Sequence, residues 1–231
     1  MFVRCIGTGS KGNSYALYDN DGKILLLDLG LPRKDIIKAI DYRASDVAGC
    51  VVTHSHLDHS KSVKDFEDMG ISVFKPYDET KACPPKIRYG NFDIQAFKLP
   101  HNGTPNYGYY IKTEGQKILY LTDFEYCQFN FKALEVNHIL IECNYQQELV
   151  SRDLPNFEHK IRGHCSLDTC RDFIAANKTN ALRTVMLCHM GAETAIAEEC
   201  VAEVQRVAGN ANVGVAKAGA EIELKESWCP F

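Results

Sequence analysis

A cluster of histidines follows a strand-like segment early in the chain. Three of the eight histidines fall within six residues, in Thr53-His54-Ser55-His56-Leu57-Asp58-His59. The apolar run before them predicts a buried strand over residues 48–53, and His54 and His56 point to the same side of its extended end. Imidazole and carboxylate ligands together suit zinc, manganese or iron rather than calcium. The cluster therefore predicts a fold that holds metal at a strand end.

Length, charge and composition narrow the protein classes to which the chain can belong. Its 231 residues, 45% hydrophobic and 24% charged, predict one globular domain over residues 1–231 rather than a disordered or fibrous chain. The net charge of −4 argues against non-specific wrapping of nucleic acid but permits a local basic patch. No apolar run approaches the roughly 20 residues that span a bilayer, and the first seven residues do not resemble a signal peptide.

The ten cysteines are scattered and include no CxxC pair. Several lie within apolar runs, where free thiols behave as small hydrophobic groups. Together with the expected absence of a secretory signal, this pattern predicts a cytoplasmic protein with few or no disulfides.

The order of the predicted elements indicates sheets that carry helices on their outer faces. Apolar runs between turn residues predict strands over residues 2–6, 14–18, 23–27, 48–53, 72–75, 92–99, 107–113, 117–122, 139–142 and 183–188, with one or two more over 212–224. Apolar residues at helical spacing predict helices over residues 32–40, 62–69, 166–176 and 194–207, the third capped by Ser166. Residues 77–89 and 144–163 are expected to be irregular. The result is a single α/β or α+β domain.

Around the histidine cluster the sequence resembles the metallo-β-lactamase superfamily. His54, His56, Asp58 and His59 match the HxHxDH motif of that family completely, and Asp28 matches the aspartate of its first motif. The segment Ile6-Gly7-Thr8-Gly9-Ser10-Lys11-Gly12-Asn13-Ser14 is similar to the GSGSSGN-type opening of the YycJ-like and RNase Z-like branch. The resemblance implies a four-layer αββα sandwich with its site between the sheet edges, in which Asp28 is structural and braces the metal loop.

The same resemblance implies further metal ligands at the ends of later predicted strands. His101 matches the third-motif histidine and would complete a three-histidine site with His54 and His56. Asp123 matches the fourth-motif aspartate, which bridges two ions, and His189 matches the fifth-motif histidine, which joins Asp58 and His59 on the second ion. The implied cofactors are two divalent ions, with zinc as the first choice and manganese or iron as alternatives.

Gly163-His164-Cys165-Ser166 looks like the GHLS segment of the YycJ-like proteins and the HST or HEAT segment of RNase Z-like phosphodiesterases. In those proteins the histidine lies beside the metals and contacts the scissile phosphate or protonates the leaving group. The resemblance makes His164 a catalytic and substrate-binding candidate, and Ser166 at the helix start a second substrate contact. The alternative is that His164 only precedes and caps a helix.

Two motifs depart from the family pattern. The last motif, usually HLS or HFS, reads His189-Met190-Gly191-Ala192-Glu193 and so lacks the hydroxyl, and the third, usually PHD, reads Pro100-His101-Asn102. Neither change removes a metal ligand, but both alter groups on the substrate side. His138 and His159 match nothing in the family and are expected to be ordinary surface or loop histidines.

The function implied by these motifs is metal-assisted hydrolysis of a phosphodiester, in a nucleic acid end or a cyclic nucleotide. Metal-activated hydroxide would attack the phosphorus, Asp58 would orient it, and His164 would protonate the leaving oxygen. Basic residues near the motifs suit such a substrate, although a solvated surface explains them equally well: Lys11, Lys61, Lys64, Arg152, Lys160 and Arg162.

Two other classes of function stay open. One is a thioesterase or lactonase that uses the same metals, and the other is a non-catalytic module that binds a partner and is stabilised by metal. The sequence predicts no membrane partner and leaves the oligomeric state open, a homodimer included.

Overall fold

The computed structural model describes residues 1–78, 86–153 and 157–224, which form two mixed sheets with helices on their outer faces. The strands are β1 (Phe2–Gly7), β2 (Ser14–Tyr18), β3 (Ile24–Leu27), β4 (Val47–Val51), β5 (Val73–Phe74), β6 (Lys86–Tyr89), β7 (Phe92–Leu99), β8 (Asn106–Thr113), β9 (Gln116–Leu121), β10 (His138–Glu142), β11 (Thr184–Cys188), β12 (Asn212–Val215) and β13 (Glu221–Glu223). The α-helices are α1 (Arg33–Ala39), α2 (Leu57–Ser60), α3 (Val63–Asp68), α4 (Phe157–Gly163), α5 (Leu167–Asn177) and α6 (Ala197–Ala208).

Each sheet combines antiparallel hairpins with a parallel section. The first sheet has the order β13-β1-β2-β3-β4-β5, and the second has the order β12-β11-β10-β9-β8-β7-β6. In the first, β3, β4 and β5 are parallel neighbours, and in the second, β9, β10, β11 and β12 are. Because parallel strands end at the same edge of a sheet, residues that follow these strands are brought together.

The buried side chains form three clusters that correspond to the spaces between four layers. One lies between the sheets and contains Tyr15 and Leu27 from the first and Tyr109 and Tyr120 from the second. A second packs the other face of the second sheet against α5 and α6, through residues such as Phe173 and Val204, and a third packs the first sheet against α1 and α3. The predicted four-layer αββα sandwich is therefore confirmed.

Two elements within the segments predicted to be irregular were missed. Lys86–Tyr89 forms β6, an edge strand paired with β7, and residues 157–163 form α4. The rest of the segment 77–89 is a short turn up to Asp78, and residues 79–85 lie outside the described residues. The Ser166 side chain accepts a hydrogen bond from the Thr169 backbone N–H, which confirms the predicted N-cap of α5.

The predicted surface position of His138 is wrong. His138 is the first residue of β10, and its side chain is fully buried. Its Nε2 lies 3.0 Å from Oε1 of Gln116. Burial, reinforced by the positive charge of Arg183, lowers its pKa to about 3, so this imidazole is neutral in the folded protein.

We expect acid to destabilise the fold through His138. The unfolded histidine titrates near a pKa of about 6.5, so the unfolded state binds the extra proton first as the pH falls. The contribution of His138 to the free energy of unfolding is fully present above the pKa of the unfolded state and is lost as the pH falls towards the pKa of the folded state. Between pH 7 and pH 5 this loss is about 2 kcal/mol. Denaturant titrations of metal-saturated wild type and His138→Gln should give the variant the weaker pH dependence. Equal pH slopes would contradict this account.

The eight described cysteines are all free thiols, and seven of them are buried. Cys83 and Cys229 lie outside the described residues. Within the described ranges, no helix combines the length and apolar character needed to cross a membrane.

Candidate metal centre

Residues of the candidate site lie where strands of both sheets end. The structural Asp28 follows β3, and the candidate ligands Asp123 and His189 follow β9 by two residues and β11 directly. All three have left-handed backbones, with φ of 59°, 52° and 49°, which is uncommon for residues other than glycine. Such backbone strain is typical of functional sites, where the surrounding fold holds a side chain in a required direction.

Three histidines form the first group of facing ligand atoms. His54, His56 and His101 each offer a ring nitrogen, and these atoms all lie within 4.8 Å of one another. Nδ1 of His101 lies 2.6 Å from the carbonyl oxygen of Gly163. Because a carbonyl only accepts, Nδ1 carries the proton, and Nε2 of His101 is left with its lone pair directed towards His56 at 3.2 Å.

The second group combines carboxylates and histidines. Asp58, His59, Asp123 and His189 also bring one ligand atom each within 4.8 Å of the others. Asp123 reaches both groups, because its Oδ1 lies 3.2 Å from Nε2 of His59 and its Oδ2 lies 4.0 Å from Nε2 of His54. The arrangement brings together all seven residues proposed as ligands from the sequence.

Asp28 is fully buried beneath the histidine loop and accepts several hydrogen bonds. Its Oδ1 accepts from the backbone N–H of Thr53 at 2.8 Å, and its Oδ2 lies 2.8 Å from Nδ1 of His59. The hydroxyl of Tyr120, from the opposite sheet, donates to Oδ2 at 2.6 Å. These contacts fix the ring of His59 so that its Nε2 faces the second group.

Glu142, the last residue of β10, is a site residue that sequence reasoning missed. Its carboxylate is fully buried, and Oε1 lies 2.7 Å from Nδ1 of His164 and 2.8 Å from Nδ1 of His189. Oε2 accepts hydrogen bonds from the backbone N–H groups of Phe124 and Cys165 at 3.1 and 3.0 Å. One carboxylate therefore orients a candidate ligand and the candidate catalytic histidine together.

The donor set fits divalent metal ions. Nε2 of His54 is buried without a hydrogen-bond partner among the described residues, although buried polar atoms nearly always have one. Burial lowers the pKa of His54 and of His101, so these imidazoles are neutral and have a free lone pair. Imidazole and carboxylate donors without thiolate suit zinc, manganese or iron.

The second group carries more charge than the first. Although burial opposes protonation of His189, the carboxylates of Asp123 and Glu142 raise its pKa to about 10. The same histidine and His59 hold the pKa of Asp123 well below its ordinary value despite its burial. The carboxylates thus attract positive charge to this position.

A cavity of about 740 Å³ opens on these groups. Its wall includes the candidate ligands His56, Asp58, Asp123 and His189, the candidate acid His164, and two lysines, Lys11 and Lys160. The volume is within the range of small-molecule sites. Of the other basic residues singled out in the sequence, Lys64 and Arg162 form surface ion pairs instead, with Asp68 and Glu158.

The remaining predicted residues have different positions. His159 is exposed, as predicted, but it lies on α4 in the cavity wall, with its ring 5.4 Å from that of His164. The Ser166 hydroxyl caps α5 and does not line the cavity, so the geometry gives no support to its predicted substrate contact. The sequence predicted neither the position of His159 in the cavity wall nor the absence of Ser166 from that wall.

Comparison with known families and proteins agrees with the motifs. Residues 7–70 match the model of the metallo-β-lactamase superfamily. The exodeoxyribonuclease YycJ of Bacillus anthracis is 22% identical over 241 residues, an alignment that covers 92% of this chain and 91% of that protein.

Solved structures share the fold over almost the whole chain. The metallo-β-lactamase fold protein YhfI from Bacillus subtilis has a TM-score of 0.70 at 18% identity, and the alignment covers 96% of this chain and 98% of that chain. The short form of human tRNase Z has a TM-score of 0.64 at 16% identity, and the alignment covers 97% of this chain and 100% of that chain. At these identities the structural likeness establishes the fold alone.

Proposed function

We propose that this chain, a member of the metallo-β-lactamase superfamily, is a metal-dependent phosphodiesterase that acts on nucleic acid or nucleotides. The observation that carries the proposal is the pairing of His164 with buried Glu142 beside the candidate metal ligands, at the wall of the cavity. A positioned acid is most useful where the leaving group is an alkoxide, as in a nucleic acid. The similarity to an exodeoxyribonuclease supports the same substrate class.

Two divalent ions would be held by the two groups of facing ligand atoms. His54, His56 and His101 would hold the first, Asp58, His59 and His189 the second, and Asp123 would contact both. The bound ions would supply a water activated as a nucleophile at neutral pH and positive charge for the phosphate oxygens. Zinc is the first candidate, with manganese or iron as alternatives.

The residues of the chain supply orientation and proton transfer. The half-buried carboxylate of Asp58, which lines the cavity, would accept a hydrogen bond from the attacking water and orient it. Nδ1 of His164 donates to Glu142, which leaves Nε2 to give its proton to the leaving oxygen. Glu142 stabilises the protonated ring, as a buried carboxylate does beside a catalytic histidine.

We expect replacement of Asp28, which fixes the ring of His59, to weaken metal binding. Asp28→Ala would leave Nδ1 of His59 and the hydroxyl of Tyr120 without their acceptor, so the His59 ring would lose its fixed orientation. Loss of such a supporting hydrogen bond typically lowers metal affinity by about 10–100-fold. Competition with a chromophoric chelator measures the affinity, and Tyr120→Phe, which removes a single bond to Asp28, should show a smaller loss. Affinity in Asp28→Ala equal to that of wild type would contradict the bracing role.

A substrate panel tests the proposed function. Protein loaded in turn with zinc, manganese and iron is assayed on phosphodiesters, thioesters and lactones. We expect turnover of the phosphodiesters. Turnover confined to thioesters or lactones would instead indicate a carboxylic-ester-type hydrolase, and no turnover by fully metal-loaded protein would favour a binding module.

A further inference from the structure

Lys160 is a cation in the cavity wall that takes no part in the proposed hydrolysis. Lys160 lies on α4, and its Nζ donates to Oδ1 of Asn144 at 2.8 Å and to Oγ1 of Thr194 at 3.1 Å. Both acceptors are neutral, and none of the described carboxylates lies within 4.0 Å of this ammonium, whereas the neighbouring Arg162 is paired with Glu158. An ammonium has three N–H donors, so one of them finds no acceptor among the described residues.

The ammonium is held in a fixed position relative to the candidate acid. The carbonyl oxygen of Lys160 accepts a hydrogen bond from the backbone N–H of His164 at 3.1 Å, so the two residues are one helical turn apart. Asn144 is anchored in turn, because its side chain donates to the carbonyl oxygen of His189 at 2.8 Å. The ammonium of Lys160 is therefore held in position relative to the candidate acid His164 and the candidate metal ligand His189.

The unusual segment after His189 builds this position. A Cβ at Gly191 would lie 2.3 Å from Oγ1 of Thr194 and 3.2 Å from Nζ of Lys160, so glycine allows the chain to approach the ammonium closely. The Thr194 hydroxyl, which lines the cavity, accepts from Lys160. The hydroxyl missing at position 191 is thus present three residues later, at Thr194, in contact with a cation.

The energetics favour an anion at this place. Lys160 is half-buried and donates its hydrogen bonds within the described residues to neutral partners, so its charge is poorly solvated, and this burial lowers its pKa. An incoming anion would restore that lost solvation and form a charge-assisted hydrogen bond. The cavity has room for more than the scissile phosphate, because its 740 Å³ extend from the metal ligands to Lys160 and Thr194.

We infer that Lys160 binds a second phosphate group of the substrate, so that the enzyme prefers a nucleic acid end carrying an adjacent phosphate to an isolated phosphodiester. The inference rests on the proposed function and adds a specificity residue to it. Lys160, positioned by the hydroxyl of Thr194, forms a phosphate subsite next to the metal centre. A purely structural Lys160, which only ties the segments after β10 and β11 together, would not distinguish between substrates.

The experiment compares three thymidine dinucleotides, namely TpT, its 5′-phosphorylated form pTpT and its 3′-phosphorylated form TpTp. Wild type should show a higher kcat/KM on one of the two phosphorylated forms than on TpT, by about tenfold, the size expected for a charge-assisted contact. The favoured form identifies the end that occupies the subsite. In Lys160→Met this preference should fall towards one, and Lys160→Arg should keep part of it.

Arg162→Met is the matched control, since it removes a cation from the same helix that is exposed and paired with Glu158. It should keep the wild-type preference. If wild type shows no preference, or if Lys160→Met keeps the ratio within about twofold, the subsite is wrong while the phosphodiesterase proposal stands. If metal-loaded wild type hydrolyses neither the dinucleotides nor bis(p-nitrophenyl) phosphate, the proposed function fails and the subsite fails with it.

Discussion

Replacing Asp123 with asparagine is expected to reduce phosphodiester hydrolysis by on the order of a thousandfold or more. Its two oxygens face different groups of ligand atoms, with Oδ1 3.2 Å from Nε2 of His59 and Oδ2 4.0 Å from Nε2 of His54. The substitution replaces one of these oxygens with an amide nitrogen, which has no lone pair for a metal, and removes the negative charge. Both ions should therefore be held more weakly.

The measurement combines metal content per chain with steady-state rates at saturating metal. Asp46→Asn is a suitable control, because Asp46 precedes β4 and so lies at the opposite end of that strand from His54, where it pairs with Lys23 and Arg43. It should retain wild-type metal content. Full activity in Asp123→Asn with two ions bound would contradict the role assigned to Asp123.

Replacing His164 with alanine is expected to give the second large loss, with a size that depends on the leaving group. For a dinucleotide the leaving oxygen is an alkoxide that needs a proton, so the loss should be about 10²–10⁴-fold. The p-nitrophenolate ion leaves readily without a proton, so hydrolysis of bis(p-nitrophenyl) phosphate should fall far less. A histidine that only precedes α5 would affect both substrates equally.

Glu142→Gln tests the same pair from the other side. The variant keeps the size of the side chain but weakens its hold on Nδ1 of His164 and the stabilisation of the protonated ring. We expect the same dependence on the leaving group as in His164→Ala, with a smaller loss. Because Oε1 also contacts His189, metal content is measured in parallel. Equal losses on the two substrates at full metal content would contradict the acid role.

Much of the architecture follows from local patterns in the sequence. Apolar runs bounded by turn residues located most strands, such as β2 and β7, since burial of one or both faces leaves a clear periodicity. The ligand candidates could be found because they match the motifs of the metallo-β-lactamase superfamily, most of which follow such runs in this sequence. That seven of them converge in space depends on both sheets, which no local pattern encodes.

Glu142 and α4 were missed from the sequence for different reasons. Glu142 ends the apolar run Ile139-Leu140-Ile141 in the same way as the candidate ligands end theirs, and this was the signal that could have identified it. The seven residues of α4 have no strong apolar period, so the positions of His159 and Lys160 depend on tertiary contacts. His138 was misplaced because a histidine that begins a strand gives no sign that Gln116 will lie opposite it.

The ligand roles, the cytoplasmic location and the extent of one domain over residues 1–231 stay predictions. Of these, the ligand roles matter most, because the proposed chemistry depends on them. They are also the most accessible to experiment, through metal content and turnover in the same preparations.

Metal-dependent phosphodiester hydrolysis is tested most directly with bis(p-nitrophenyl) phosphate and protein whose metal content has been measured. We expect turnover by wild type with two divalent ions per chain, loss of turnover on chelation, recovery on adding metal back, and almost no turnover in Asp123→Asn. A wild-type protein that binds two ions per chain and hydrolyses no phosphodiester with zinc, manganese or iron would contradict the proposed function.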